Sequence, residues 1–333
     1  MLIRRGADVN ALSRNGMMLP LSRAAGSAYV AMIRLLLRHG AEPNRADSIG
    51  GTALLDAVHA IGFDESLAAL RDEKHPGIDG DTAREMITLL LAAGADVDAR
   101  DSDGERPLFL SVKCREHRVV FELLLKSGAD VNRLTNEGVS PLCAAVSRGD
   151  EIFVERLLAH GADPLAGTNG RSAIESAAYR GSDAILAKML AVVKSADFGA
   201  SSTALIQAAV HADAGDCLKR LIPYGLKLDA VFPSGKMTPL HFAARRGAVS
   251  VLELCLQAGS NPDVCDRAER TPLHMAAQYN QPDAIEMLRR FGADENRADK
   301  DGKTPLAIAQ EKNKKRAVAA FRKPLRPALP KGS

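Results

Sequence analysis

"TPLHFAARRG" occupies residues 238–247, and two later stretches restate it: "TPLHMAAQYN" at 271–280 and "TPLAIAQEKN" at 304–313. Each starts 33 residues after the one before. A fixed period of this length marks a chain built by stacking one small unit on copies of itself. The residue types say what the unit is. Pro239, Pro272 and Pro305 suit the first position of a helix, where the missing N–H is harmless and φ is already helical. Thr238, Thr271 and Thr304 precede them as N-caps. The alanine pairs let a short helix pack closely on its neighbour. After Thr238 and Thr271, at a distance of 21 residues, a leucine-rich segment closes on Gly259 and Gly292, where a second helix should end in a left-handed glycine. "D-x-x-G" segments between the units suit tight turns.

Moving toward the N-terminus the pattern persists with wear. "GVSPLCAAVSRGD" carries Pro141, "GERPLFLSVKCRE" carries Pro107, "GTALLDAVHAIGF" starts its helix at Thr52, and "MMLPLSRAAGSAY" carries Pro20. Matching second segments end in "LLLRHGAEPN", "LLLAAGADVD", "ELLLKSGADVN" and "RLLAHGADPL". Two repeats, from Arg171 and from Ser202, have lost the proline and the "GAD" but keep their length and alanine pairs. The pattern resembles the ankyrin-repeat family over nearly the whole chain. The resemblance implies an all-α solenoid of about eight to nine helix–turn–helix repeats with β-turn or hairpin connections. The expected organisation is a half-repeat at 1–13, a solenoid at 14–323 with an insertion at 61–81, and a basic, proline-rich, disordered tail at 324–333. The opening "LIRRGADVNA" is the second half of a repeat. It leaves two readings open: residues missing upstream, or a frayed half-repeat.

The insertion is "GFDESLAALRDEKHPGIDGD", residues 62–81. From Thr52 the closing glycine, Gly94, stands 42 residues on instead of 21, so the excess falls between the two helices of one repeat and leaves the register intact. Loop-closure cost grows slowly with length, which permits it. "DESLAALRDEK" has the pattern of a short extra helix ended by Pro76 and Gly77. Six acids and two Lys/Arg lie between Ile61 and Asp81, a charge suited to partner contacts or to a solvated extension.

Composition bounds the function. There is no apolar run of membrane-spanning length and no signal peptide at the N-terminus, so the expected location is cytoplasmic, with the nucleus or secretion into a host as an effector as alternatives. "KNKKR" at 312–316 resembles a short basic import signal and equally a basic helix end. Five cysteines without paired spacing argue against a disulfide framework. Of the net charge of +3, residues 311–333 carry +7 and the first 310 residues −4, which argues against nucleic-acid binding.

No motif carries catalysis: there is no phosphate-cradling glycine loop, G-x-S-x-G or H-E-x-x-H. No cofactor or metal site is expected. The resemblance implies that His241 and His274 join neighbouring turns, and their spacing lacks the local pairing of zinc ligands. Cys143, Cys217 and Cys255 read as small buried hydrophobes, Cys265 lies in a turn, and Cys114 with His117 lacks further ligands. Binding remains. In the family's pattern the two residues after the alanine pair point into a concave face. They are Tyr179 and Arg180, Val210 and His211, Arg245 and Arg246, Gln278 and Tyr279, and, one residue further on past Val146, Ser147 and Arg148. Arg and Tyr are frequent carriers of interface energy. The candidate partner-binding residues are therefore Arg148, Tyr179, Arg180, His211, Arg245, Arg246, Gln278 and Tyr279, with Phe232 of a long turn as either an exposed anchor or a ring folded back onto the worn repeat beneath. The expected function is that of a non-enzymatic, monomeric module binding a protein, with an acidic segment as the partner this set would suit. The alternative is the recognition part of a larger multidomain protein such as an effector enzyme or a channel.

Overall fold

The computed structural model describes residues 3–13, 18–71, 78–113, 118–167, 172–193, 198, 201–233 and 235–324, with the backbone alone at 63–71. Among these residues there are eighteen α-helices and no strand. The chain divides into two compact units, residues 1–173 and 174–333. In the N-terminal unit, inner helices α1 (Pro20–Gly26), α3 (Ala53–Arg71), α5 (Pro107–Lys113) and α7 (Pro141–Arg148) alternate with outer helices α2 (Val30–Arg38), α4 (Gly80–Ala92), α6 (Arg118–Lys126) and α8 (Glu151–Ala159). In the C-terminal unit, α9 (Ala173–Arg180), α11 (Ser202–Ala212), α13 (Pro239–Arg246), α15 (Pro272–Gln278) and α17 (Pro305–Glu311) are the inner helices. Their outer partners are α10 (Asp183–Val192), α12 (Gly215–Leu221), α14 (Val249–Gln257), α16 (Pro282–Arg290) and α18 (Lys315–Arg322). Inner packs on inner and outer on outer within each unit: α1, α3, α5 and α7 in one, α11, α13, α15 and α17 in the other. The two worn repeats form helix pairs like the rest.

The alanine pairs account for the close inner contacts. Ala177, Ala178, Ala243, Ala244, Ala276 and Ala277 are fully buried. Outer helices close the core with larger groups; Phe121 of α6 meets Phe153 of α8 at 4.5 Å between ring centres. The proline and N-cap reading holds at α7, where Ser140 Oγ accepts from the Cys143 N–H, and at α17, where Thr304 Oγ1 accepts from the Ala307 N–H.

Turns join the helix pairs, and here aspartate does the shaping. Asp47, Asp101, Asp266 and Asp299 each donate their N–H to the carbonyl four residues on, while the carboxylate accepts the N–H groups two and four residues on. The third residue after each aspartate is left-handed: Gly50, Gly104, Gly302 and, as an exception, Glu269 at φ 59°. A side chain there is strained by about 1–2 kcal/mol. Glu269→Gly is therefore expected to stabilise the chain by about 0.5–1 kcal/mol once the flexibility gained by the unfolded glycine is deducted. A urea midpoint unchanged or lowered would count against this account of the turn.

A second set of links runs along the loops after the outer helices. Asn10 donates to the Gly40 carbonyl and accepts from the Glu42 N–H; Asn44 does the same with Gly94 and Asp96, and Asn132 with Gly161 and Asp163. Each asparagine satisfies a helix-end carbonyl in the next repeat.

The insertion departs from its expected form. α3 runs unbroken from Ala53 to Arg71, so the added residues prolong the first helix instead of forming a separate one. Gly62 alone, at a cost of about 1 kcal/mol relative to alanine, is too weak a breaker to divide it. Pro76 and Gly77 lie outside the described residues. The return is as read: Asp79 caps α4, its carboxylate accepting from the N–H groups of Asp81 (3.0 Å) and Thr82 (2.8 Å).

Candidate partner-binding surface

The last turns of the inner helices in the C-terminal unit carry most of the candidate residues. Tyr179, at the end of α9, is 51% exposed. It lies flat on His211 of α11, ring centres 4.2 Å apart and planes 22° off parallel, with 3.1 Å between its hydroxyl and His211 Nε2. Arg180 beside it is exposed. Two repeats on, the Arg245 guanidinium sits over the Tyr279 ring, 4.9 Å from its centre. A contact of that kind at an exposed site contributes about 0.5–1 kcal/mol and narrows the positions the guanidinium samples. Arg246 is exposed and Gln278 half-buried. The structure thus brings the candidates together as two aromatic pairs, each joining the ends of consecutive inner helices.

Three positions behave differently. Val210, placed on the face by the two-after-alanine rule, is 3% exposed and belongs to the core. Phe232 is 2% exposed: its N–H bonds to the Met237 carbonyl, and its ring stacks on Phe242 at 5.0 Å. It is a packing group, not an anchor, because closing the turn carries the ring back onto α13. Arg148 belongs to the N-terminal unit, is half-buried, and donates from Nη1 to the Lys113 carbonyl at the end of α5. That fixes it to the repeat before its own.

A family model described as ankyrin repeats (3 copies) matches residues 78–168, 116–198, 174–264 and 240–323. These matches extend from 78 to 323 of the 333 residues. The chain belongs to the ankyrin-repeat family. The human cyclin-dependent kinase 4 inhibitor B is similar to it, 36% identical over 123 residues, which are 36% of this chain and 70% of that protein. Ankyrin repeats are protein-interaction units, and that much of the expected function is thereby established.

Membership explains the histidines. In this ankyrin-repeat chain His241 Nδ1 accepts the Thr238 N–H at 3.2 Å, and Nε2 reaches the Arg270 carbonyl at 2.9 Å. His274 repeats this with Thr271 (3.0 Å) and Lys303 (3.0 Å). An Nδ1 that accepts from a backbone N–H carries no proton, so Nε2 donates to the carbonyl and the ring is neutral. Burial holds both rings below the ordinary histidine range, against the opposing pull of the bonded carbonyls. They are structural links, as the resemblance implied.

The cysteines are equally ordinary. Cys143, Cys217 and Cys255 are buried; burial pushes the Cys217 thiol up to about 11 and the Cys255 thiol up to about 12, the reverse of an activated nucleophile. Cys265 is half-buried in its turn. Cys114 and His117 lie outside the described residues. No three His, Cys, Asp or Glu among the described residues are grouped to hold a metal. No described helix is long and apolar enough to cross a membrane. "KNKKR" spans the end of α17, a left-handed Asn313 and the start of α18, so it is folded into the last helix pair.

Proposed function

We propose that this chain is a non-enzymatic, monomeric, cytoplasmic ankyrin-repeat module. It binds an acidic segment of a partner protein across the inner-helix ends of its C-terminal unit. Tyr179, Arg180, His211, Arg245, Arg246, Gln278 and Tyr279 form the surface; Arg148 and Phe232 do not belong to it. The observation that carries the reading is the pairing of Arg245 with Tyr279 and of Tyr179 with His211. The exposed Tyr279 ring holds the Arg245 guanidinium ready on a face whose candidate positions include no acid. Guanidinium groups take carboxylates in paired, charge-assisted hydrogen bonds. Rigid aromatic neighbours reduce the ordering cost of binding. The inhibitor similar to this chain is named for a protein target, which supports the class of function and not the identity of the partner.

The test is affinity purification from native lysate with the wild-type chain, followed by the double variant Arg180→Glu/Arg245→Glu. Recovery of the wild-type partner is expected to fall at least tenfold, with more loss at low salt than at high salt. Undiminished recovery by the variant would remove this surface from the reading.

A further inference from the structure

One rung of the ladder along the outer loops is open. Elsewhere the residue four after the left-handed glycine of one repeat accepts the N–H two beyond the glycine of the next. Asn10, Asn44 and Asn132 do so, and Asp98 and Asp263 accept from the N–H groups of Asp130 (3.1 Å) and Asp294 (2.9 Å). By the same count Asp229, four after Gly225, belongs with the Asn261 N–H, two beyond Gly259. Among the described residues neither of these groups has a hydrogen-bond partner, and the Gly259 carbonyl has none either. Asp229, Gly259 and Asn261 are all exposed. The end of α12 sets this junction apart. Pro223 has no N–H to continue the helix, which stops at Leu221 and passes into a tighter turn, Ile222–Tyr224. At this junction there is a groove of about 430 Å³. Ile222, Leu226 and Leu228 give it an apolar lining, Gly259 borders it, and Lys227 and Asp229 offset each other's charge.

What fills the closed rungs says what fits the open one. In all three asparagine links the side-chain amide donates to the glycine carbonyl, and its oxygen accepts the N–H two residues on. The open junction presents that same pair, the Gly259 carbonyl and the Asn261 N–H, with the Asp229 carboxylate beside them. Two acceptors and one donor match a primary amide, which has two N–H groups and one oxygen. A carboxylate would set like charge against Asp229 and leave the carbonyl without a donor. An ammonium or guanidinium would leave the Asn261 N–H without an acceptor.

We propose that this groove takes the side-chain amide of a glutamine or asparagine, carried by a partner protein between aliphatic residues that rest against Ile222 and Leu228. The amide donates to the Gly259 carbonyl and the Asp229 carboxylate and accepts the Asn261 N–H. The partner thus completes the rung that the chain leaves open. The site lies on the loops after the outer helices, separate from the arginine–tyrosine surface at the inner-helix ends.

The experiment uses the full, isotope-labelled chain and short peptides with leucine on either side of a central glutamine, glutamate or arginine, followed by backbone-amide NMR. The glutamine peptide is expected to bind at least tenfold more tightly than the other two and to shift the Asn261 amide resonance. Asp229→Asn supplies an amide from the chain itself. It should raise the urea midpoint and weaken the glutamine peptide at least tenfold. Ile222→Glu, at a position 38% exposed, should abolish binding while circular dichroism stays that of the wild type. Arg180→Glu/Arg245→Glu should leave glutamine-peptide binding as it was, which separates this groove from the other surface. The proposal is overturned if the three peptides bind alike or none binds, or if the glutamine peptide leaves the Asn261 amide unshifted. Undiminished binding by Asp229→Asn or by folded Ile222→Glu overturns it too. So does loss of binding in Arg180→Glu/Arg245→Glu, which would place the peptide on the inner-helix ends.

Discussion

His274→Leu is expected to lower the free energy of unfolding by about 2–4 kcal/mol, because it strips partners from two buried backbone groups at once. Thr271 and His274 are fully buried. The Thr271 N–H loses Nδ1 and the Lys303 carbonyl loses the Nε2 proton. Leucine fills the space and repairs neither. His241→Leu should behave alike, leaving the Thr238 N–H and the Arg270 carbonyl. Urea midpoints at pH 7.5 measure both; a loss under 1 kcal/mol would mean that these links are dispensable. A second signature is pH. Both rings are held neutral, below the usual 6.5. The unfolded chain then takes up protons that the folded chain refuses as pH falls past 6.5. Stability is flat above that point and declines below it, by at most about 1.4 kcal/mol per histidine for each pH unit, until the folded rings titrate. The decline between pH 7 and 5.5 should shrink in each variant.

Asp266→Ala is the other large effect, about 2–4 kcal/mol, since it removes a nearly buried carboxylate from a full set of donors. Its side chain is 2% exposed. Oδ1 accepts from the N–H groups of Ala268 (2.8 Å) and Arg270 (2.9 Å), and Oδ2 from Arg270 Nε (3.0 Å) and Nη2 (2.7 Å). Burial works against ionisation, but the Arg270 guanidinium and these N–H groups outweigh it and hold the carboxyl below the usual carboxylate range. Its contribution is therefore complete above the unfolded value of 3.8 and lost as pH falls through the lower folded one. Above pH 6.5, where both histidines are largely neutral in the folded and unfolded chain, the penalty of Asp266→Ala should stay constant with pH. A penalty under 1 kcal/mol there would show that the turn is held by other means.

Proline, threonine and glycine punctuation made the helix pairs legible, because those residues act through local backbone geometry that needs no tertiary context. The histidine links were foreseen only through the family resemblance; the structure adds their geometry, a threonine N–H three residues back on one ring nitrogen and a carbonyl of the next repeat on the other. What the sequence did not disclose depends on side-chain direction. The long turn left Phe232 readable as an exposed anchor or as a ring folded back, and the Phe232–Met237 backbone bond decides it, turning the ring inward onto Phe242. Val210 read as outward by counting from the alanines, yet the left-handed Asp213 stands where Gly247 stands in the next repeat, so Val210 takes the place of the buried Ala244. Tyr179 and His211 both stand two residues before the left-handed residue that closes their inner helix, Gly181 and Asp213, an equivalence that counting from the alanine pairs hides. The unbroken α3 was hidden by Gly62, a residue that weakens a helix without ending one.

The asparagine links of the N-terminal unit have a mechanical meaning. Asn10, Asn44 and Asn132 each hold the repeat directly after their own. Tension applied along such a stack is carried in series, each junction bearing the full load. The weakest junction therefore gives way first, and the chain lengthens by one repeat at a time, as a spring with separable coils.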